Sequence, residues 1–320
     1  MKQVEHLLGY RASIKVMDAT LRDGGLVNDF YFTDDFVKAL YKTNLEAGVD
    51  YMEMGYRASK KVFDETKFGK WKFCSDDHIR EIVGENDTDL KLAIMADIGR
   101  HDKNDFDEKV NSPVDMVRVA AYIHQMPEAI DMIEDAHKKG YETTCNIMAI
   151  SQTQESDLKV ALDMLGKTPV DTIYIVDSFG SIYPEEMKRI VDIYMEAATK
   201  YGKQLGVHAH NKQLSFANTI EACGDGVNWL DATYKGMGRG AGNCAMELLL
   251  GFLKNPKYNT YPVFRFISDY MVKLEEDGVV WGYDLQYLMT GQLNQHPRAA
   301  IKFTKDKRKD YAEFYKELIV

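Results

Sequence analysis

Two histidines, His208 and His210, stand one residue apart at the end of an apolar run. A strand repeats every two residues, so both imidazoles leave the backbone on one face, close enough to hold a single ion. The oxygen donor that such a pair needs is offered far upstream, by Asp23 in Asp18-Ala19-Thr20-Leu21-Arg22-Asp23-Gly24-Gly25. A third segment, the glycine-rich stretch 235–243, runs into a helical pattern and can bring the amide oxygen of Asn243 to the same point. One carboxylate, two neutral imidazoles and one amide oxygen form a mixed nitrogen and oxygen set suited to a divalent ion with open positions. Without a thiolate among them, Mn²⁺ or Mg²⁺ is expected and Zn²⁺ stays open. Each segment has a plainer reading as well. The histidines fit a wet strand face, Asp23-Gly24-Gly25 fits a tight turn, and the glycine loop fits a permissive connection.

Other residues could share that chemistry. Arg22 adjoins the candidate ligand, where a guanidinium can hold an oxyanion such as an enolate. Glu53, in Tyr51-Met52-Glu53-Met54, either holds Arg22, binds a ligand hydroxyl or caps a loop. Arg118 alternates with apolar residues and can point inward, which makes it, with Arg22 and Ser178, a candidate substrate contact. Asp97, Asn146 and Asp177 also stand at strand ends.

Eight apolar, β-rich runs alternate with amphipathic segments and must position these groups. The strands are expected at 14–18, 49–54, 90–96, 116–120, 143–150, 172–176, 205–210 and 229–234. The clearest helices are expected at 33–47, 126–139, 154–165, 184–201, 212–223 and 243–253. Thr33 is the expected N-cap of the first of them. Pro184 opens the helix that Gly202 stops, and Gly140 stops another. Eightfold β-α alternation predicts a TIM (β/α)8 barrel over residues 1–255, with polar mouth loops carrying short helices at 57–84 and 99–113. Active sites of that architecture lie at the C-terminal strand ends, where strands one and seven flank strand eight. Asp23, His208, His210 and Asn243 can therefore converge. Residues 256–320 leave the alternation, with helices at 264–277 and 283–293, and predict a small C-terminal helical extension.

A formal charge of −10 argues against nucleic acid or an anionic membrane surface as partner. The basic tract 305–309 is broken by Asp306 and reads as solvated surface. No apolar stretch is long enough to span a bilayer and no secretory pattern opens the chain, so the expectation is cytoplasmic. Cys74, Cys145, Cys223 and Cys244 show no paired spacing and read as buried thiols.

The combination of Asp18-Ala-Thr-Leu-Arg22-Asp23-Gly24, His208-Ala-His210-Asn211 and Gly238-Arg-Gly240-Ala-Gly242-Asn243 resembles the DRE-TIM metallolyase, or HMGL-like, superfamily. Within it the glycine loop is more similar to the 4-hydroxy-2-oxovalerate aldolase branch. The CoA-thioester lyases carry a reactive cysteine where Met237 and Gly238 stand here. The resemblance implies a divalent ion on Asp23, His208 and His210 with Asn243 nearby, and Arg22 supporting the enolate of a 2-oxo acid. It also implies a tyrosine from the C-terminal helices, matched to Tyr283, and a partner aldehyde dehydrogenase. One departure matters: the aldolases carry a histidine, taken as the base for the substrate hydroxyl, where this chain has Leu26. Asn28, Asp29 and Tyr283 are the replacements within sequence reach.

The resulting expectation is a metal-dependent aldolase, converting a 4-hydroxy-2-oxo acid to pyruvate and an aldehyde or the reverse through an enolate, in a homo-oligomer. Two alternatives stay open. One is a Claisen-type acyltransferase joining acetyl-CoA to a 2-oxo acid. The other is a noncatalytic or partner-gated barrel.

Overall fold

The computed structural model describes residues 13–102, 105–211 and 214–320. The eight expected strands are present, with ends moved by no more than three residues. They are β1 (Lys15–Asp18), β2 (Tyr51–Tyr56), β3 (Lys91–Asp97), β4 (Met116–Ala121), β5 (Glu142–Ile147), β6 (Thr172–Asp177), β7 (Gln204–Ala209) and β8 (Trp229–Ala232). Neighbours pair in parallel in chain order, and β1 closes on β8 with Met17 opposite Asp231.

The two-residue period of a strand decides what fills this barrel. Met17, Tyr51, Met116, Tyr174 and Trp229 form an apolar cluster in its interior. Two residues further along β2, β4 and β8, the same inward face carries Glu53, Arg118 and Asp231, all buried. The barrel is thus oily toward the strand starts and charged toward the strand ends, where barrels of this kind place their sites.

A single helical turn, α1 (Thr20–Gly24), follows β1, and α2 (Asp34–Ala47) wraps the outside. Thr33 caps α2 by accepting from the Phe36 amide at 3.2 Å, and Gly48, at φ 72°, stops it. The later crossovers use α3 (Asp76–Val83), α4 (Met126–Lys138), α5 (Glu155–Gly166), α6 (Pro184–Tyr201), α7 (Ser215–Gly224) and α8 (Met246–Leu253). The expected start of α7 at Lys212 lies outside the described residues. Two crossovers differ from an even alternation. The stretch 57–84 contains α3, which seals the sheet with fully buried Ile79. Between β3 and β4 the described residues hold only a 3-10 turn, Lys109–Asn111.

The tail is more helical than its sequence suggests. α9 (Thr260–Phe266) continues through a π turn, Ile267–Met271, into α10 (Val272–Glu276), and Phe266 packs against Phe36 of α2 with ring centroids 5.2 Å apart. Then come α11 (Leu285–Gln292), α12 (Arg298–Lys305) and α13 (Tyr311–Ile319). The last two span only eight and nine residues, which is why periodicity missed them. Their contact corrects the reading of 305–309 as merely solvated. Arg308 pairs with Asp310 and Glu317 at 2.7 and 2.8 Å and lies over the rings of Phe303 and Phe314, joining α12 to α13. Among the described residues, no helix is long and apolar enough to cross a membrane.

Candidate functional site

Asp18 ends β1 fully buried, and its carboxylate shapes the turn that follows. Oδ1 accepts from the Thr20 amide at 2.9 Å, and Oδ2 accepts from Asn44 of α2 at 2.7 Å. The Thr20 hydroxyl oxygen in turn accepts from the Tyr234 amide at 2.9 Å, tying the turn to the end of β8. Burial pushes the Asp18 carboxyl up to about 6, against the pull of these hydrogen bonds. The turn so braced delivers Arg22 and Asp23 to the barrel mouth.

His208 and His210 arrive on the inward face of β7, with ring centroids 4.9 Å apart and planes crossing at 81°. Candidate ligand atoms of Asp23, His208 and His210 all lie within 4.8 Å of one another, and all three residues are buried. A backbone bridge between His210 and Asn243 draws the glycine loop in, and Asn243 Nδ2 donates to Asp23 Oδ2 at 2.7 Å. Gly238 makes room for that approach, because a Cβ there would collide with Asp23 Oδ2 and Asn243 Nδ2.

This group fits a divalent cation on three counts. His210 Nδ1 and Asn243 Oδ1 are buried without a hydrogen-bond partner among the described residues, a costly state unless something polar completes them. Rotating the Asn243 amide would present that oxygen. His208 Nδ1 pairs with Asp231 Oδ2 at 2.9 Å, which fixes the tautomer and leaves Nε2 as the donor, the usual carboxylate support of a metal-binding histidine. The charge states agree as well. Burial would raise the Asp23 carboxyl, but the neighbouring His210, Arg22, His208 and Arg239 outweigh it and hold the group well below the usual carboxylate range. Burial pushes His210 down to about 3 despite the opposing pull of Asp23, so its ring is neutral at ordinary pH, where the guanidiniums of Arg22 and Arg239 keep the carboxylate ionised.

A continuous ion-pair chain lies beneath. Asp23 Oδ1 meets Arg22 at 2.6 Å, Arg22 Nε meets Glu53 at 2.8 Å, Glu53 meets Arg118 at 2.8 Å, and Arg118 meets Asp231 at 2.6 Å. Asp231 returns to His208, so the chain begins and ends on candidate ligands. Glu53 therefore holds Arg22, one of the options its position allows. Arg118, expected to touch substrate, is instead fully buried below the cavity, with its guanidinium 4.5 Å from the Tyr174 ring centroid and both partners carboxylates. It is a strut for Glu53 and Asp231, because its strand position lies one layer too deep to reach the mouth.

Above the group opens a cavity of about 210 Å³ lined by Arg22, Asp23, His208 and His210 together with Leu26, Asn146 and Ser178. The Ser178 hydroxyl accepts from the Ala149 amide at 2.9 Å. Asn146 Nδ2 is buried without a hydrogen-bond partner among the described residues. Tyr283 is not among the lining residues and is 39% exposed, and Asn28 and Asp29 also lie off the cavity. Asp177, noted at its strand end, is spent on the following loop, accepting from the Ser181 amide at 3.0 Å. The tail reaches the cavity through His296 and Arg298, the end of β2 through Tyr56, and the mouth loops through Lys72, Arg100 and Arg239. None of these was singled out by sequence. Asp97, noted at its strand end, is another wall residue, and of those missed Asp231 had an available signal, since it occupies an inward position of the strand period.

Comparison with known proteins gives a consistent result. The chain is 27% identical over 241 residues to oxaloacetate decarboxylase of Mycobacterium tuberculosis, covering 75% of this chain and 69% of that protein. It is 28% identical over 247 residues to 4-hydroxy-2-oxovalerate aldolase of Thermus thermophilus, covering 76% and 70%. Its structure matches the N-terminal domain of a Bacteroides vulgatus protein proposed to be an aldolase, with a TM-score of 0.74 and 28% identity over 91% of this chain and 96% of that one. With the HMGL-like family model matching residues 13–265, across the whole barrel and the three motifs that build its mouth, the chain belongs to the HMGL-like family.

Proposed function

We propose that the chain is a divalent-metal-dependent carbon–carbon lyase that cleaves a 4-hydroxy-2-oxo acid to pyruvate and an aldehyde, or runs the reverse addition. The observation carrying this reading is the buried convergence of Asp23, His208 and His210 beside Arg22, under a cavity sized for a small acid. A bound Mn²⁺ or Mg²⁺, with Asn243 as a further oxygen donor, would supply Lewis-acid polarisation of the 2-oxo group.

Arg22 remains charged, held by Glu53 and Asp23, with NH2 3.4 Å from His208 Nε2 at the cavity floor. That position suits a guanidinium that stabilises negative charge as the carbon–carbon bond breaks and its electron pair enters the 2-oxo system. Cleavage also requires a base for the 4-hydroxyl proton. Asp97 is the wall group best placed by its surroundings. Its Oδ1 is buried without a hydrogen-bond partner among the described residues, and burial raises its carboxyl above the ordinary value against the pull of Lys72 and Arg100. The enolate then takes a proton at carbon and leaves as pyruvate. The dehydrogenase partner and homo-oligomer expected from sequence belong to the same proposal, and the mass of the full chain in solution, alone and after copurification, tests them.

Leu26 on the cavity wall favours a second reading. Loss of CO₂ from a β-carboxylated 2-oxo acid forms the same enolate with no hydroxyl to deprotonate, and the M. tuberculosis relative carries the name oxaloacetate decarboxylase. Both readings share enolisation. The test is deuterium exchange at the pyruvate methyl group with Mn²⁺ present, alongside Mn²⁺ titration. Exchange is expected in the native chain, and Asp23→Ala or His210→Ala is expected to abolish exchange and metal binding together. Metal-dependent exchange surviving in either variant would remove the proposed site. Release of CO₂ or of an aldehyde from the matching substrates then separates the two reactions.

A further inference from the structure

The same cavity carries more positive charge than a simple 2-oxo acid needs. Five cationic side chains line it, Arg22, Lys72, Arg100, Arg239 and Arg298, against two carboxylates, Asp23 and Asp97, in a chain of net charge −10. Arg22 is held by Glu53 and Asp23. The other four share little. Arg100 reaches Asp97 only at 3.5 Å, and the Arg298 side chain makes no ion pair or hydrogen bond among the described residues. Arg239 donates through NH2 to the Ser178 carbonyl at 3.1 Å, while its Nε is buried without a hydrogen-bond partner among the described residues.

Lys72 is the most telling of the four. Only 6% of it is exposed, and Asp97, the carboxylate it faces, forms no ion pair with it among the described residues. Its ammonium sits 4.3 Å from the Phe63 ring centroid, 4.4 Å from Tyr56 and 5.2 Å from Phe30. Such a cage is a poor substitute for water, and burial pushes the group down to about 8 against the pull of Asp97. The cations also converge across separate elements. His296 is pushed down to about 4 by burial and then by Arg239, Arg298 and Arg100, three guanidiniums drawn from the mouth loops and the tail. Like charges repel, so gathering them in a partly desolvated cavity is unfavourable unless an anion joins them.

We propose that Lys72, Arg100, Arg239 and Arg298 form a second anion subsite, distinct from the Asp23, His208 and His210 group, that receives a carboxylate or phosphate at the far end of the substrate. The substrate class becomes a 2-oxo acid with a second acidic group beyond the reacting carbons. In the additive direction, the aldehyde carries that group. The assignment of ends rests on the proposed lyase reading, with Arg22 at the 2-oxo acid end, whereas the subsite itself does not.

Calorimetric titration of the full chain with inorganic phosphate and, separately, malonate tests it without turnover. One binding event is expected in the native protein, weakened at least tenfold by Lys72→Met and by Arg298→Gln. Mn²⁺ titration of both variants confirms that the metal group is intact. The stronger-binding probe identifies the acid preferred. In pyruvate addition, succinic semialdehyde is expected to exceed propanal at least thirtyfold in kcat/KM, with the ratio collapsing in the variants. Phosphate and malonate binding that is absent, or equal in native protein and a Lys72→Met, Arg298→Gln double variant, would overturn the subsite. Failure of the native chain to exchange pyruvate protons, with anion binding still lost in the variants, would remove the lyase reading and leave the subsite standing.

Discussion

Replacing Lys72 with methionine should make the protein more stable, which is unusual for a residue lining a cavity. An ammonium held at about 8 instead of its ordinary 10.5 is disfavoured in the folded state by about 3 kcal/mol, at roughly 1.4 kcal/mol per tenfold change in proton affinity. Methionine removes that cost and fills much the same volume. Loss of the ammonium–ring attraction, about 1–2 kcal/mol, works the other way, and a thioether against the same rings returns about 1 kcal/mol. The burial cost is the larger effect, so a net gain of about 2 kcal/mol is expected at pH 7, or roughly 4 °C in Tm for a chain of this size. The pH dependence gives a sharper check. Because the folded-state value lies below the unfolded one, the penalty is complete below pH 8 and fades as the pH rises to 10.5, where the unfolded chain also loses the proton. Native stability measured relative to the variant should therefore climb across that window. Chemical denaturation of both proteins from pH 6.5 to 10.5 gives the difference directly. A variant less stable than the native chain at pH 7, or a difference that stays flat above pH 8, would refute the caged, desolvated ammonium.

Two further substitutions probe the metal group from outside the proposed ligands. Gly238→Ala places a methyl against Asp23 Oδ2 and Asn243 Nδ2, and at least a tenfold loss of Mn²⁺ affinity by titration is expected, with the circular dichroism of the barrel retained. Unchanged affinity would show that the glycine loop does not set the Asp23 geometry. Asp231→Asn weakens the support of His208 Nδ1 and should lower Mn²⁺ affinity about 10–100-fold. It also removes a charge facing Arg118, so a fall in stability should accompany it, and neither effect appearing would contradict the ion-pair chain.

The sequence by itself determined the barrel and most of the candidate metal group. Strand alternation has a fixed period and local turns have fixed chemistry, so eight runs, the turn at Asp23-Gly24-Gly25 and the His208–His210 pair could all be read from spacing, whereas the bracing of that turn by Asn44 and Tyr234 needed the fold. Placing Asp23 and His208 in neighbouring space needed only the closure of β1 onto β8. The period also marked Arg118 as inward-facing, but not its depth. Only the packed barrel shows that one layer separates it from the cavity and makes it a strut between Glu53 and Asp231. Tyr283 was matched by a short segment of the tail, whereas the fold brings His296 and Arg298 to the cavity, since helix docking and not sequence position decides which tail residues reach the mouth. The cationic wall was hidden for the same reason. Lys72, Arg100, Arg239 and Arg298 share no spacing, and their meeting exists only where three mouth loops and the start of α12 enclose one volume.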